Sequence, residues 1–217
     1  MVTFDDKFLY IGAICYQPKK YIVQSLRRDF PDGSSDLFFV NIDPFKDKLN
    51  GFYFSVTPFG IQKEGLIYGG TDNNFDWDNK WYSEATRYED KYLVEIAIPF
   101  TTLRYKLTAD NKDEWNINFC RNNLVLNEKS SWAPIPRNFR MINANFNGRM
   151  IWDEPPPSPR NNFSIIPFVL AGKSKDFIKN TPVDNDFEAG FDNGRPVTFF
   201  TQKNRAIVAK LTYWFNL

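Results

Sequence analysis

Along much of the chain hydrophobic and polar residues alternate with a period of two, the spacing that sends successive side chains to opposite faces of a β-strand. In Phe8 to Tyr16 the residues Leu9, Ile11, Ala13 and Cys15 share a face. In Gly51 to Thr57 the set Phe52, Phe54 and Val56 opposes Tyr53, Ser55 and Thr57, and in Tyr92 to Ile98 the set Tyr92, Val94, Ile96 and Ile98 points one way. These segments predict half-buried antiparallel strands. Asp36 to Asp43 opens apolar on both faces, as a central strand covered from two sides requires. Turn chemistry separates them at Pro31-Asp-Gly-Ser-Ser35, Lys48-Leu-Asn-Gly51 and Thr71-Asp-Asn-Asn74. One short helix is expected, Pro99 to Arg104, with proline in its first turn.

Trp115 to Phe119 predicts a further strand, with Trp115, Ile117 and Phe119 inward and Asn116 and Asn118 on the other side. The run Asp153-Glu-Pro-Pro-Pro-Ser-Pro-Arg160 is too rich in proline for helix or sheet and reads as a stiff extended linker. Beyond it Phe163 to Gly172 is strand-like, Lys173 to Pro196 is a polar loop, and Arg205 to Leu217 alternates again. In that last segment Ile207, Ala209, Leu211, Tyr213, Phe215 and Leu217 form one apolar face opposite Lys210, Thr212 and Asn216. The length suits a tilted membrane strand, and the same pattern suits an ordinary sandwich strand with one core face.

Composition narrows the choice. The chain has 217 residues, 42% of them hydrophobic, enough for a buried core, and its 22 Phe, 10 Tyr and 6 Trp favour pleated sheet over helix. Lys and Arg (27) balance Asp and Glu (26), so no long-range field recruits nucleic acid. Histidine is absent, which removes Ser-His-Asp and Cys-His chemistry and the commonest zinc ligand sets. A disulfide could join only Cys15 and Cys120, and their predicted strand faces differ. No run of residues reaches the ~20 apolar positions of a membrane helix. The start, Met1-Val-Thr-Phe-Asp-Asp, has neither the basic nor the apolar region of a leader, and the chain stops inside a strand, so the sequence reads as a piece truncated at both ends.

Several segments together resemble the family 9 carbohydrate-binding domains, in the envelope-protein branch where such a domain precedes an outer-membrane barrel. The resemblance runs through Phe4-Asp-Asp-Lys-Phe-Leu-Tyr-Ile-Gly12, Asp36-Leu-Phe-Phe-Val-Asn-Ile-Asp43, Asn50-Gly-Phe-Tyr-Phe54, Pro58-Phe-Gly-Ile-Gln62 and Trp77 with Trp81. It continues in Glu95-Ile-Ala-Ile-Pro-Phe100, Trp115-Asn-Ile-Asn-Phe119 with Arg121, and Trp132-Ala-Pro134, and a short stretch, Ile165-Ile-Pro-Phe168, resembles the opening of the barrel. It implies a jelly-roll-like antiparallel β-sandwich over 1–153, a linker at 154–160 and the first strands of a second β domain, a membrane barrel, at 161–217.

For the site, the resemblance implies a sugar clamped between two tryptophans. One position falls on Trp132; the other should precede Asp36, where the chain has Asp32-Gly-Ser-Ser35 and no tryptophan. The polar contacts are expected near Ser55, Thr57 and Cys120, and alternation adds Tyr53, Asn116 and Asn118 on polar strand faces beside Trp132. A pyranose needs both, an aromatic surface for its apolar face and polar groups for its hydroxyls. Trp77 and Trp81 offer an alternative platform, or else fold back over the sandwich edge. Asp72, Asp76 and Asp78 supply closely spaced oxygens of the kind calcium prefers but lack the EF-hand glycine and terminal glutamate, so a solvated acidic loop competes with a metal site. Asp43, Asp47 and Asn50 form a thinner cluster whose default is a turn. Glu64, Glu84, Glu95 and Glu114 provide no pair marked for glycoside hydrolysis, and Arg28, Arg104 and Arg121 suit structural pairing with acids such as Asp29 or Asp36.

The function expected is a carbohydrate-binding-like module of a cell-envelope protein, outer-membrane or periplasmic, non-catalytic in itself and needing no cofactor beyond calcium. Two alternatives stand beside it: the accessory module of a glycan-degrading hydrolase whose catalysis lies elsewhere, and a structural or plug domain that binds no sugar.

Overall fold

The computed structural model describes residues 1–157 apart from 18, 19, 106, 110 and 111, and beyond them the backbone of four strands, 166–172, 191–192, 195–196 and 206–212. The chain divides into two units, Met1–Arg160 and Asn161–Leu217.

The first unit is an antiparallel β-sandwich. Its smaller sheet has the order β1-β2-β8-β7, from Val2–Phe4, Phe8–Tyr16, Lys91–Pro99 and Tyr82–Arg87. Its larger sheet runs β10-β9-β3-β4-β5-β6, from Glu128–Ser131, Glu114–Asn123, Leu37–Asp43, Gly51–Val56, Gln62–Tyr68 and Asp72–Asn74. A further strand, β11 (Gly148–Ile151), pairs with the first half of β9 on the edge that β10 pairs with at its second half. Leu9, Ile11, Ile96 and Ile98 of the smaller sheet pack with Val40, Phe54, Trp115 and Ile117 of the larger one. Burying one such side chain stabilises by about 1.5–3 kcal/mol, and this apolar layer holds the sheets together. At one end Trp115 lies 4.7 Å from Tyr105 and 4.9 Å from Trp152, ring centre to ring centre.

The larger sheet is covered on both faces. Its second face carries Phe39, Tyr53, Ile67 and Cys120, which pack with Phe30, Ile142 and Ala144 from loops. Every residue of β3 and of β4 is therefore buried. For β3 the sequence anticipates this; for β4 it does not, since Tyr53, Ser55 and Thr57 predict a wet face. Cys15 lies between the sheets and Cys120 on the far face, so the sheet separates two free, buried thiols.

The helix expected at Pro99 to Arg104 is absent. β8 extends through Pro99, and tight turns follow, with Thr102 N–H bonded to Pro99 O (2.8 Å) and Leu103 N–H to Phe100 O (3.2 Å), before Arg104 adopts φ 38°. A left-handed residue cannot continue a helix. Among the described residues the helical content is one 3₁₀ turn, Ala144–Phe146. The proline-rich run is also less free than a linker, because Pro156 is buried and the Tyr105 hydroxyl donates to Pro157 O.

In the second unit β12 (Ile166–Gly172) pairs antiparallel with β15 (Ala206–Thr212), in the register Ile166 to Thr212. The segment expected to be loop throughout contains a minimal hairpin, β13 (Phe191–Asp192) with β14 (Arg195–Pro196). The expected continuations at 163–165 and 213–217 lie outside the described residues, as do the side chains of this unit.

Candidate functional site

The strands bring the predicted polar residues onto one face of the larger sheet. Tyr53 of β4 lies opposite Asn41 of β3, which lies opposite Asn118 of β9; in the next row Asp43 faces Asn116. Ser55 and Thr57 follow Tyr53 on the same side. That face is closed. All five predicted residues are buried, and the segment that leaves β10 at Trp132 and returns at β11 bonds Asn118 and its neighbour Asn41.

Their polar atoms serve the closure. Asn118 Nδ2 donates to Ala133 O (3.2 Å) and Phe146 O (3.4 Å), while Asn118 Oδ1 accepts from Ala133 N–H (2.9 Å). Asn41 Nδ2 donates to Met141 O (2.9 Å), and Asn116 Nδ2 to Asp43 Oδ2 (3.0 Å). Ser55 Oγ donates to Lys63 O (3.1 Å), and Thr57 Oγ1 accepts from the N–H groups of Phe59 and Ile61. Tyr53 packs against Phe39 and Phe75, and its burial pushes the phenol far above its ordinary range. Buried polar groups have to be bonded, and here the covering segment serves Asn118 and Asn41 while neighbouring strands and turns serve Asn116, Ser55 and Thr57, so these groups are not left open to sugar hydroxyls.

Trp132 is exposed, with 56% of its surface in solvent, but on the other side of the sheet. Ser131 pairs with Cys120 and so shares the asparagine face; the next residue must point the opposite way. Trp132 N–H bonds Phe119 O (2.8 Å), its ring meets Phe119 at 5.8 Å, and Phe119 stacks on Phe38 at 6.4 Å. The expectation of Trp132 at the rim of the asparagine face is thus corrected by strand parity. The benzo ring lies against Gly148, where a Cβ would fall 2.4 to 3.2 Å from three of its carbons. The indole thus lies close to the backbone of β11 at Gly148, and over half of the residue stays in water.

Trp77 and Trp81 form no outer platform. Trp81 is only 4% exposed and packs on Phe54 at 5.2 Å; Trp77 is half-buried against Phe52 at 5.5 Å. Both close the sandwich edge. Asp72, Asp76 and Asp78 are exposed and do not converge, and among the described residues no group of three acidic, Cys or His side chains could hold a metal ion. Asp78 instead reaches Arg28 at 3.3 Å. Asp43 and Asp47 build turns, Asp47 accepting from the N–H groups of Leu49 and Asn50 at 2.7 Å.

Two relationships among charged groups escape sequence reading. Glu64 is fully buried, opposite Phe54 on the neighbouring strand, and paired with Arg28. Burial pushes its carboxyl above the usual range against the opposing pull of Arg28. Glu84 and Glu95 lie directly opposite each other on the outer face of the smaller sheet. Both are exposed on an open sheet surface, and the water-excluding surround that glycoside chemistry draws on is lacking there. Glu114 is held between Lys46 and Arg149, which pull its carboxyl below the usual range. Arg28 pairs with acids, Glu64 and Asp78, as expected in kind, whereas Arg121 reaches Tyr16 O and Gln17 Oε1, and Asp36 accepts from Gln17 Nε2, Ile22 N–H and Leu124 N–H.

No family model matches the chain, and no curated protein matches it significantly. Among solved structures, a candidate carbohydrate-binding protein from Bacteroides uniformis has a similar fold. The two align with a TM-score of 0.56 and 11% identity, over 69% of this chain and 75% of that one. The chain shares the β-sandwich fold of that protein. At that identity the likeness speaks for the fold alone.

Proposed function

We propose that the sandwich is a non-catalytic carbohydrate-binding module and that its sugar stacks on Trp132. The observation that carries this reading is the seat of the indole. Gly148 and Phe119 fix the ring from behind, so little side-chain freedom is lost when a pyranose lies on the outer surface. Ser130, two residues away on the same strand side, adds a hydroxyl for polar contact. The fold shared with the Bacteroides uniformis protein supports the same class of ligand. A single aromatic contact contributes about 0.5–1.5 kcal/mol beyond buried area, so binding is weak and depends on several sugar units or several copies.

The second unit is read as the opening of an outer-membrane barrel, placing the protein in the cell envelope. Support comes from the antiparallel pairing of β12 with β15 and from the apolar alternation of Ile207 to Leu217. Among the described residues no helix is long and apolar enough to cross a membrane, which says nothing about strands.

The test is titration with neutral and acidic oligosaccharides, followed by tryptophan fluorescence. A saturable response in the parent that disappears in Trp132→Ala supports the proposal. A folded protein with no response to a broad panel favours the structural or plug role, for which the closed asparagine face already speaks.

A further inference from the structure

A cavity of about 240 Å³ opens at the end of the sandwich where β2 begins and β8 ends. Phe8, Pro99, Phe100 and Pro157 give it a mostly apolar lining, and Asp6, Lys7 and Thr101 are the polar residues on it. Its parts are fixed. Phe100 N–H bonds Lys7 O (2.9 Å), Asp5 Oδ1 accepts from the N–H groups of Lys7 and Phe8 at 2.7 Å each, and Tyr105 holds the Pro157 carbonyl. The Phe8 ring continues outward into an aromatic strip on the smaller sheet, 5.8 Å from Tyr10 and 6.0 Å from Tyr82. The Tyr10 hydroxyl is tethered to Asp5 Oδ2 at 2.9 Å.

We infer that this cavity is a second saccharide site, separate from Trp132, that receives one sugar residue of a neutral glycan. Phe8 supplies the stacking surface, Asp6, Lys7 and Thr101 the partners for hydroxyls, and Tyr10 with Tyr82 the surface for the following residue. The lining is mostly apolar with polar residues beside it, and a pyranose, with an apolar face and a rim of hydroxyls, matches both. One acid and one base give the cavity no net charge, hence a neutral sugar. The volume lies below the ~300 Å³ at which drug-sized pockets begin, room for one ring rather than a chain. The inference rests on the reading of the sandwich as a saccharide binder.

The experiment is calorimetric titration of the whole 217-residue chain with neutral oligosaccharides of glucose, xylose and mannose. The parent should take up two equivalents. Trp132→Ala should keep one, and that one should vanish on adding either Phe8→Ala or Thr101→Trp; the second variant fills the cavity from its rim without removing a packed ring. If Trp132→Ala alone abolishes binding in a folded protein, this inference falls and the Trp132 site stands. Binding that survives both Trp132→Ala and Thr101→Trp also overturns it. Failure of the folded parent to bind any member of the panel overturns both.

Discussion

Trp132 occupies the space above Gly148, where a side chain of any size would come within 2.4 Å of indole Cζ3. The two residues sit on adjacent edge segments of one sheet, and the glycine lets the ring lie against the strand backbone. Gly148→Ala should therefore lift the indole off the sheet, at a cost of about 1–3 kcal/mol for overpacking. The tryptophan emission should shift to longer wavelength, and any saccharide response should weaken in parallel.

Trp81 and Trp132 stand at opposite ends of the burial range. Trp81, packed on Phe54, should cost about 3–5 kcal/mol when replaced by alanine, as large-to-small changes in a core do. Trp132→Ala should cost much less, since over half of that side chain is in water. Chemical denaturation of both variants checks the order; equal losses would show that Trp132 belongs to the core.

Asn118 bonds both ends of the segment that closes the asparagine face, at Ala133 and at Phe146. Asn118→Ala leaves Ala133 N–H and two carbonyls without their partner, and stability should fall by about 1–3 kcal/mol. Amide exchange at Ala133 should accelerate, while the strand amides of β3 stay protected.

Burial raises the Glu64 carboxyl above its ordinary value, so the folded chain holds that proton more tightly than the unfolded chain. Stability from this group consequently grows as pH falls through the raised value toward 4.5, and is lost again as pH rises. Measured against Glu64→Gln, which cannot titrate, the parent should gain stability as pH is lowered from neutral toward 4.5. Glu114, held low by Lys46 and Arg149, acts in the opposite sense, its contribution fading as pH drops below 4.5. A parent that loses ground to Glu64→Gln on acidification toward pH 4.5 would contradict the assignment.

The sandwich was legible where alternation is strong. β2 has the boundaries that its apolar positions predict, and Leu37 to Asp43 is the doubly covered strand its composition requires. The burial of Tyr53, Ser55 and Thr57 was not legible, because their partners, among them Phe75, Lys63 and Ile61, come from turns and a neighbouring strand that alternation within one segment does not reveal. The side on which Trp132 stands depends on the parity of one hairpin pairing, Ser131 with Cys120, and a shift of one residue would reverse it. Glu64 resembles any other glutamate until its partner, Arg28, arrives from a distant loop.

The central claim is that a saccharide meets the exposed Trp132 at the sheet edge and leaves the closed asparagine face untouched. Two-dimensional NMR of the uniformly ¹⁵N-labelled chain, titrated with an oligosaccharide, reads this directly, since each of the six tryptophans has its own indole N–H signal. The account predicts a saturable shift of the Trp132 signal, with those of Trp81, Trp115 and Trp152 unmoved. Saturable shifts confined to Asn41, Asn118 and their neighbours, with Trp132 unchanged, would contradict it.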